Sequence, residues 1–204
     1  MIFIVLTLIQ KHEFQIFNKK IYMKTFVIYI IPMLLVLQSK AQVDLPIGKN
    51  ATIYIVRHAE KLGGEDPLLT VDGNKRSGDL MRTMVDKKIK KIFVSEFKRT
   101  QHTADSMYLQ LGIDTVQYIA DTSCNNLFTV IKSRNKKNGS ILIVSHSNII
   151  QKIIYKLGIT DFSQEYIPAN EFDNLYIIRF KNKKPTLIQL KYGAPSSTTA
   201  PMNQ

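Results

Sequence analysis

Residues 52–61 read TIYIVRHAEK, an apolar β-branched run that breaks abruptly into Arg57, His58 and Glu60. Its apolar residues do not alternate with polar ones, the pattern of a strand covered on both faces. Two more runs share it: 92–94 (IFV) and 141–144 (ILIV). These three are read as central parallel strands. Between them the spacing predicts helices. Residues 71–86 place Leu80, Met81, Met84 and Val85 on one side, and residues 99–111 place Ala104, Met107, Tyr108 and Leu111 on one face, with Gly112 as the stop. After the third strand, Ile149, Ile150, Ile153, Ile154 and Leu157 mark another amphipathic helix, closed by Gly158. Residues 116–119 and 174–180 read as further strands and 186–190 as an edge strand. Strand alternating with helix implies a three-layer α/β/α sandwich around a mostly parallel central sheet.

In such sheets ligands bind beyond the carboxyl ends of the strands. The first strand ends in Arg57 and His58, the second runs into Ser95 and then Arg99 at a helix start, the 116–119 strand is followed by Asp121, and the third ends in His146. Arg57 and Arg99 carry forks of donors that fit a phosphate and keep their charge. Helix N-termini after Glu96 and after His146 would add backbone donors for an anion. A neutral imidazole whose far nitrogen is fixed by a backbone carbonyl offers its other nitrogen as a nucleophile. The other histidine would donate to the phosphoryl oxygens. These residues describe a site for covalent phosphoryl transfer.

The chain has 204 residues, 45% apolar and 22% charged, which suits one sizeable core and leaves little for a second. One cysteine, Cys124, excludes a disulfide scaffold and a four-cysteine zinc site, and reads as a small inert hydrophobe. The net charge of +12 raises the possibility of a nucleic-acid binder. Five of the 28 cations and one of the 16 acids, however, fall in residues 1–41, so the chain from Gln42 carries +8. Its lysine and arginine runs at 87–91, 132–137 and 181–184 lack the interleaved aromatics of a stacking platform and read as solvated surface. Residues 1–41 read as a targeting segment, with a signal peptide starting at Met23, an apolar run at 26–37 and cleavage before Gln42. A retained anchor is the competing reading; the twelve-residue run, interrupted by Pro32, is short of the roughly 20 residues that span a bilayer. The expected organisation is a targeting segment over 1–41, a catalytic domain over 42–193 and a disordered tail over 194–204. The product would be exported.

Residues 52–61, Leu69-Thr70 with Gly73, residues 95–104 (SEFKRTQHTA) and residues 144–148 (VSHSN) resemble, in order and spacing, the histidine phosphatase superfamily, or phosphoglycerate mutase-like fold. The resemblance spans residue 51 to about 180. It implies His58 as the phosphorylated nucleophile, Arg57, Arg99 and His146 as the phosphate pocket, and no metal or other cofactor. Ala59 stands where many relatives have glycine. The mutase-type segment carrying a catalytic glutamate is absent between Arg99 and His146, which argues against a mutase. Asp121 is then the expected general acid, which would require burial to hold its proton; the alternative is that it caps the following helix. Glu60 is a second candidate acid, read more readily as an ion-pair partner of Arg57 or Lys61. His102 reads as a solvated helix residue, and Ser145 and Ser147 as caps of the helix after His146. The expected activity is a phosphatase acting on a small phosphorylated substrate or a phosphoprotein, without nucleic acid and without membrane contact once residues 1–41 are removed. The rival is a non-catalytic protein of this fold that binds a phosphorylated ligand or an acidic polymer.

Overall fold

Strand β1 (Thr52–Arg57) divides the core in two. Ile53 and Ile55 belong to one buried cluster, Tyr54 and Val56 to the other, as the period of two along a strand requires. The computed structural model describes residues 50–135, 139–162 and 167–196. β1 runs parallel to β4 (Ser140–Ser145), β4 to β2 (Ile89–Ser95), and β2 to β3 (Thr115–Tyr118). On the other side β5 (Asn174–Lys181) pairs antiparallel with β1, and β6 (Lys184–Lys191) antiparallel with β5. The order β3-β2-β4-β1-β5-β6 puts β1 and β4 side by side in the centre, so their carboxyl ends, Arg57 and Ser145, are neighbours.

Helices cover both faces. Helices α1 (Val71–Met84) and α2 (Lys98–Leu111) bury Leu80, Met84, Ala104 and Met107 against the Tyr54 and Val56 face. Helices α3 (Asn125–Arg134) and α4 (Ser147–Lys156) bury their apolar stripes against Ile53 and Ile55. The three-layer sandwich expected from the sequence is the observed fold. Gly112 ends α2 in the left-handed conformation, φ 62°, with its N–H returned to Tyr108 O.

Some boundaries differ from expectation. Helix α1 stops at Met84, and Val85 is 59% exposed because it lies past the last turn that faces the sheet. Tyr108 likewise points outward, leaving Ala104 and Met107 to fill the core. The tail expected from residue 194 begins with two residues, Ala194 and Ser196, that the domain holds. Arg76 donates to Ala194 O at 2.9 Å, and Ser196 Oγ accepts from Phe172 N at 2.8 Å and Asp173 N at 3.1 Å. Residues 1–41, the expected targeting segment, and residues 197–204 lie outside the described residues. Among the described residues no helix is long and apolar enough to cross a membrane.

Candidate active site

The chain leaves β1 at Arg57 and is fixed at once by neighbours. His58 N donates to Ser145 O at 2.9 Å, and Ala59 N donates to Thr103 Oγ1 at 2.8 Å, so the two residues after β1 tie the chain to β4 and to α2. Thr70 N donates to Glu60 O at 2.9 Å and Thr70 caps α1 by accepting from Gly73 N. Gly73 packs so close to this loop that a Cβ there would stand 2.1 Å from Glu60 O.

His58 is buried, with Nδ1 2.8 Å from Ala59 O. A carbonyl only accepts, so Nδ1 carries the proton and Nε2 keeps its lone pair. Burial pushes the His58 pKa down to about 2, aided by the charges of Arg57, His146 and Arg99, with the Ala59 bond opposing. The ring stays neutral at physiological pH. His146 lies across from it, ring centroids 5.5 Å apart, and is lowered to about 4 by burial and the two arginines. Its Nε2 is 2.9 Å from Ser95 Oγ at the end of β2.

The arginines differ in their commitments. Arg57 Nη1 donates to the carbonyls of Pro168, Ala169 and Glu171 at 2.9–3.0 Å, and its guanidinium lies 4.2 Å from the Phe172 ring centroid. Arg99 lies at the same distance over Phe97, and its buried Nε has no hydrogen-bond partner among the described residues. An orphaned guanidinium donor in a buried cationic pocket favours an anionic ligand. Phe172 and Phe97 wall the site, one beside His58 and the other edge-on to His146. Helices α2 and α4 begin here with N-caps Phe97 and His146 whose own side chains make no cap bond. Asp66, from the loop after β1, accepts from Lys98 N at 2.9 Å and approaches Arg99 at 3.8 Å.

The four residues Arg57, His58, Arg99 and His146 thus stand together. Asp121 has a different job from the expected one. Its carboxylate accepts from Asn126 N at 3.0 Å, Asn125 N at 3.2 Å and the Ser123 hydroxyl, and these bonds hold its pKa below the usual aspartate value. It is the anionic cap of α3, and a carboxylate stabilised as an anion is a poor proton donor. Glu60 is an ion-pair residue, as its simpler reading held, but its partner is Arg76, gripped through Nε and Nη2 at 2.6–2.9 Å, not Arg57 or Lys61. Ser145 does not cap α4; it accepts from the Tyr118 hydroxyl at 2.9 Å within the core. The α4 N-cap is His146, so Ser147 is already helical. His102, expected as a solvated helix residue, is a half-buried residue of α2 whose Nδ1 stands 2.7 Å from the Asp105 carboxylate. The Cys124 thiol is buried and its pKa is raised to about 11, in keeping with an inert role.

Sequence reading missed Phe172, the Pro168–Glu171 carbonyls, Phe97 and Thr100. The first two lie more than 110 residues from Arg57, so no local pattern announced them.

The family model for the histidine phosphatase superfamily (branch 1) matches residues 53–123. A comparison with curated protein sequences found no match. Among solved structures the fold is similar to a protein described as a phosphohistidine phosphatase, SixA, from Agrobacterium tumefaciens, with TM-score 0.54 and 16% identity over 71% of this chain and 99% of that one. It is similar also to the alpha-ribazole phosphatase of Shigella flexneri, with TM-score 0.53 and 18% identity over 69% of this chain and 96% of that one. At these identities the structural likeness concerns the fold alone. The matched segment, residues 53–123, holds Arg57, His58 and Arg99, so over that segment the chain is similar to the histidine phosphatase superfamily and in its fold to the solved phosphatases.

Proposed function

We propose that the protein is a phosphatase that hydrolyses phosphate monoesters, small or protein-borne, through a phosphohistidine on His58. The observation that carries the proposal is the state of His58. It is buried and neutral, with Nδ1 locked on Ala59 O and Nε2 available, between two guanidinium groups and a second imidazole. Arg57, Arg99, His146 and the N-terminus of α4 hold the phosphoryl oxygens. Nε2 attacks phosphorus in line with the leaving oxygen, and water then cleaves the phosphohistidine. The phosphatase neighbours of this fold support the reaction class.

The test is phosphate release from a panel of monoesters by the chain from Gln42, beside its His58→Ala variant. The substitution is expected to lower kcat by at least about 10³-fold, and brief exposure to a labelled ester is expected to leave acid-labile phosphate on the parent only. Full activity in His58→Ala would overturn the proposal; phosphate binding without turnover of any ester would favour a non-catalytic binding protein. Export belongs to the same reading. An N-terminus at Gln42 in protein recovered from cells supports it, and retention of residues 1–41 removes it.

A further inference from the structure

With Asp121 and Glu60 both engaged elsewhere, the proton for the leaving group needs another source, and a buried hydroxyl chain behind His146 indicates one. Thr100 Oγ1 lies 2.8 Å from Phe97 O and 3.2 Å from Ser95 O. Carbonyls only accept, so the single Thr100 hydroxyl proton is spent on them. Ser95 Oγ, 2.9 Å from Thr100 Oγ1, must then donate to it. The remaining Ser95 lone pairs face Phe97 N at 3.4 Å and His146 Nε2 at 2.9 Å, so Nε2 carries a proton. Ser95 and Thr100 are fully buried and His146 nearly so, which keeps water from reordering the chain. The direction runs from His146 through Ser95 and Thr100 to Phe97 O, each bond polarising the next. In the neutral ring Nδ1 is therefore bare, and it has no hydrogen-bond partner among the described residues.

We propose that Ser95 and Thr100 are positioning residues that fix His146 as the Nε2–H tautomer, so that Nδ1 accepts from a protonated phosphoryl oxygen and the site takes its ester as the monoanion. This rests on the phosphatase reading. The groups facing His146 are Arg57 and His58 from the end of β1, Arg99 and Phe97 from the start of α2, and Ser95 from β2; the Tyr118 hydroxyl of β3 is turned to Ser145. None of them is a carboxylate, and the surrounding cations oppose a second proton on the His146 ring until an anionic ester is bound. A dianion would set an unprotonated oxygen against the Nδ1 lone pair, whereas the monoanion brings the proton that the pair lacks. During transfer the bond from His58 Nε2 to phosphorus forms as the ester P–O bond breaks. The phosphoryl proton passes by way of His146 Nδ1 to the leaving oxygen, so a neutral alcohol departs. His58 keeps its Nδ1 proton on Ala59 O, and the charge of −1 is preserved.

The first measurement is the nitrogen-15 spectrum of the histidine rings in the folded chain from Gln42, which identifies the protonated nitrogen without need of activity. Protonation of His146 on Nε2 is expected; protonation on Nδ1 would overturn the proposal. In Thr100→Val the Ser95 proton loses its acceptor and turns to Nε2, so the tautomer should flip to Nδ1–H, while Thr100→Ser should keep the parent form. An unflipped Thr100→Val would also overturn it. In kinetics, kcat/KM for para-nitrophenyl phosphate should fall about tenfold per pH unit above the second pKa of the ester, about 6 for phosphate monoesters. That limb should move with the pKa of the ester when aryl phosphates of different acidity are compared. A limb that stays fixed belongs to an enzyme group and counts against the proposal. Absence of turnover on every ester would remove the phosphatase reading, while the spectrum still decides the tautomer.

Discussion

Arg57 and Arg99 look equivalent as phosphate ligands, yet their surroundings give them different weights. Three backbone carbonyls of the segment before β5 depend on Arg57 Nη1, so this side chain also closes the pocket wall that carries Phe172. Removing it leaves partly buried acceptors unpaired, at about 1–3 kcal/mol for such a group. Arg99 has no comparable structural duty, since among the described residues its guanidinium meets the Phe97 face and the partly exposed Asp66. Arg57→Ala is therefore expected to lower both the urea midpoint and phosphate affinity, and Arg99→Ala to weaken phosphate affinity with a near-parental midpoint. Urea unfolding with isothermal phosphate titration separates the two, and equal destabilisation by both substitutions would contradict the assignment. The same distinction, between a residue type and its local bonds, decides Asp121. Its position after β3 suits an acid, but two backbone N–H groups and a hydroxyl make it a helix cap.

At the scale of elements, the site depends on how closely α1 approaches the loop after His58. Thr70 and Gly73 meet Glu60 backbone to backbone, and Arg76, one turn further on, grips the Glu60 carboxylate and reaches the carbonyls of Tyr192 and Ala194. One helix thereby pins the loop after His58 and the segment after β6 to each other. A methyl group at residue 73 would collide with a carbonyl oxygen, and a backbone cannot turn aside as a long side chain can. Gly73→Ala is expected to destabilise by about 1–3 kcal/mol and to lower kcat by displacing His58, although residue 73 touches no substrate. Thermal unfolding beside turnover checks this; a parental Tm together with parental kcat would show that the approach is looser than described. Helices α2 and α4 start beside each other, with Phe97 edge-on to His146, because β2 and β4 are adjacent and parallel.

Over the whole molecule, burying two neutral imidazoles makes folding sensitive to acid. His58 and His146 are pushed from 6.5 to about 2 and about 4, mainly by burial, so the folded state binds fewer protons than the unfolded chain over that interval. Their contribution to stability is complete above pH 6.5 and is lost as pH falls through the window towards the folded values, with a slope of up to about 1.4 kcal/mol per pH unit for each group. The carboxylates Asp121 and Asp173, lowered below 3.8, add the same sign of dependence only in stronger acid. Urea midpoints are expected to drop between pH 7 and pH 5, and to drop less in His58→Ala. Equal parental midpoints at the two values would contradict the buried neutral state on which the proposed chemistry depends.

The sequence alone determined the layers of this sandwich, because strands covered on both faces and helices with one apolar stripe are local patterns that leave few ways to bury them. It also determined that Arg57, His58, Arg99 and His146 come together, since they stand at or after strand ends that a parallel sheet must bring to one edge. Only the tertiary structure decided which acids are engaged, and by whom. Glu60 meets Arg76 across sixteen residues, and Arg57 meets the Pro168–Glu171 carbonyls across more than a hundred, through the packing of α1 and of the chain entering β5. The tautomer chain behind His146 joins the ends of β2 and β4 to the first turn of α2 in the same way. Periodicity records which face a residue is on, whereas a hydrogen bond depends on distances of a few tenths of an ångström that are set only when the layers close.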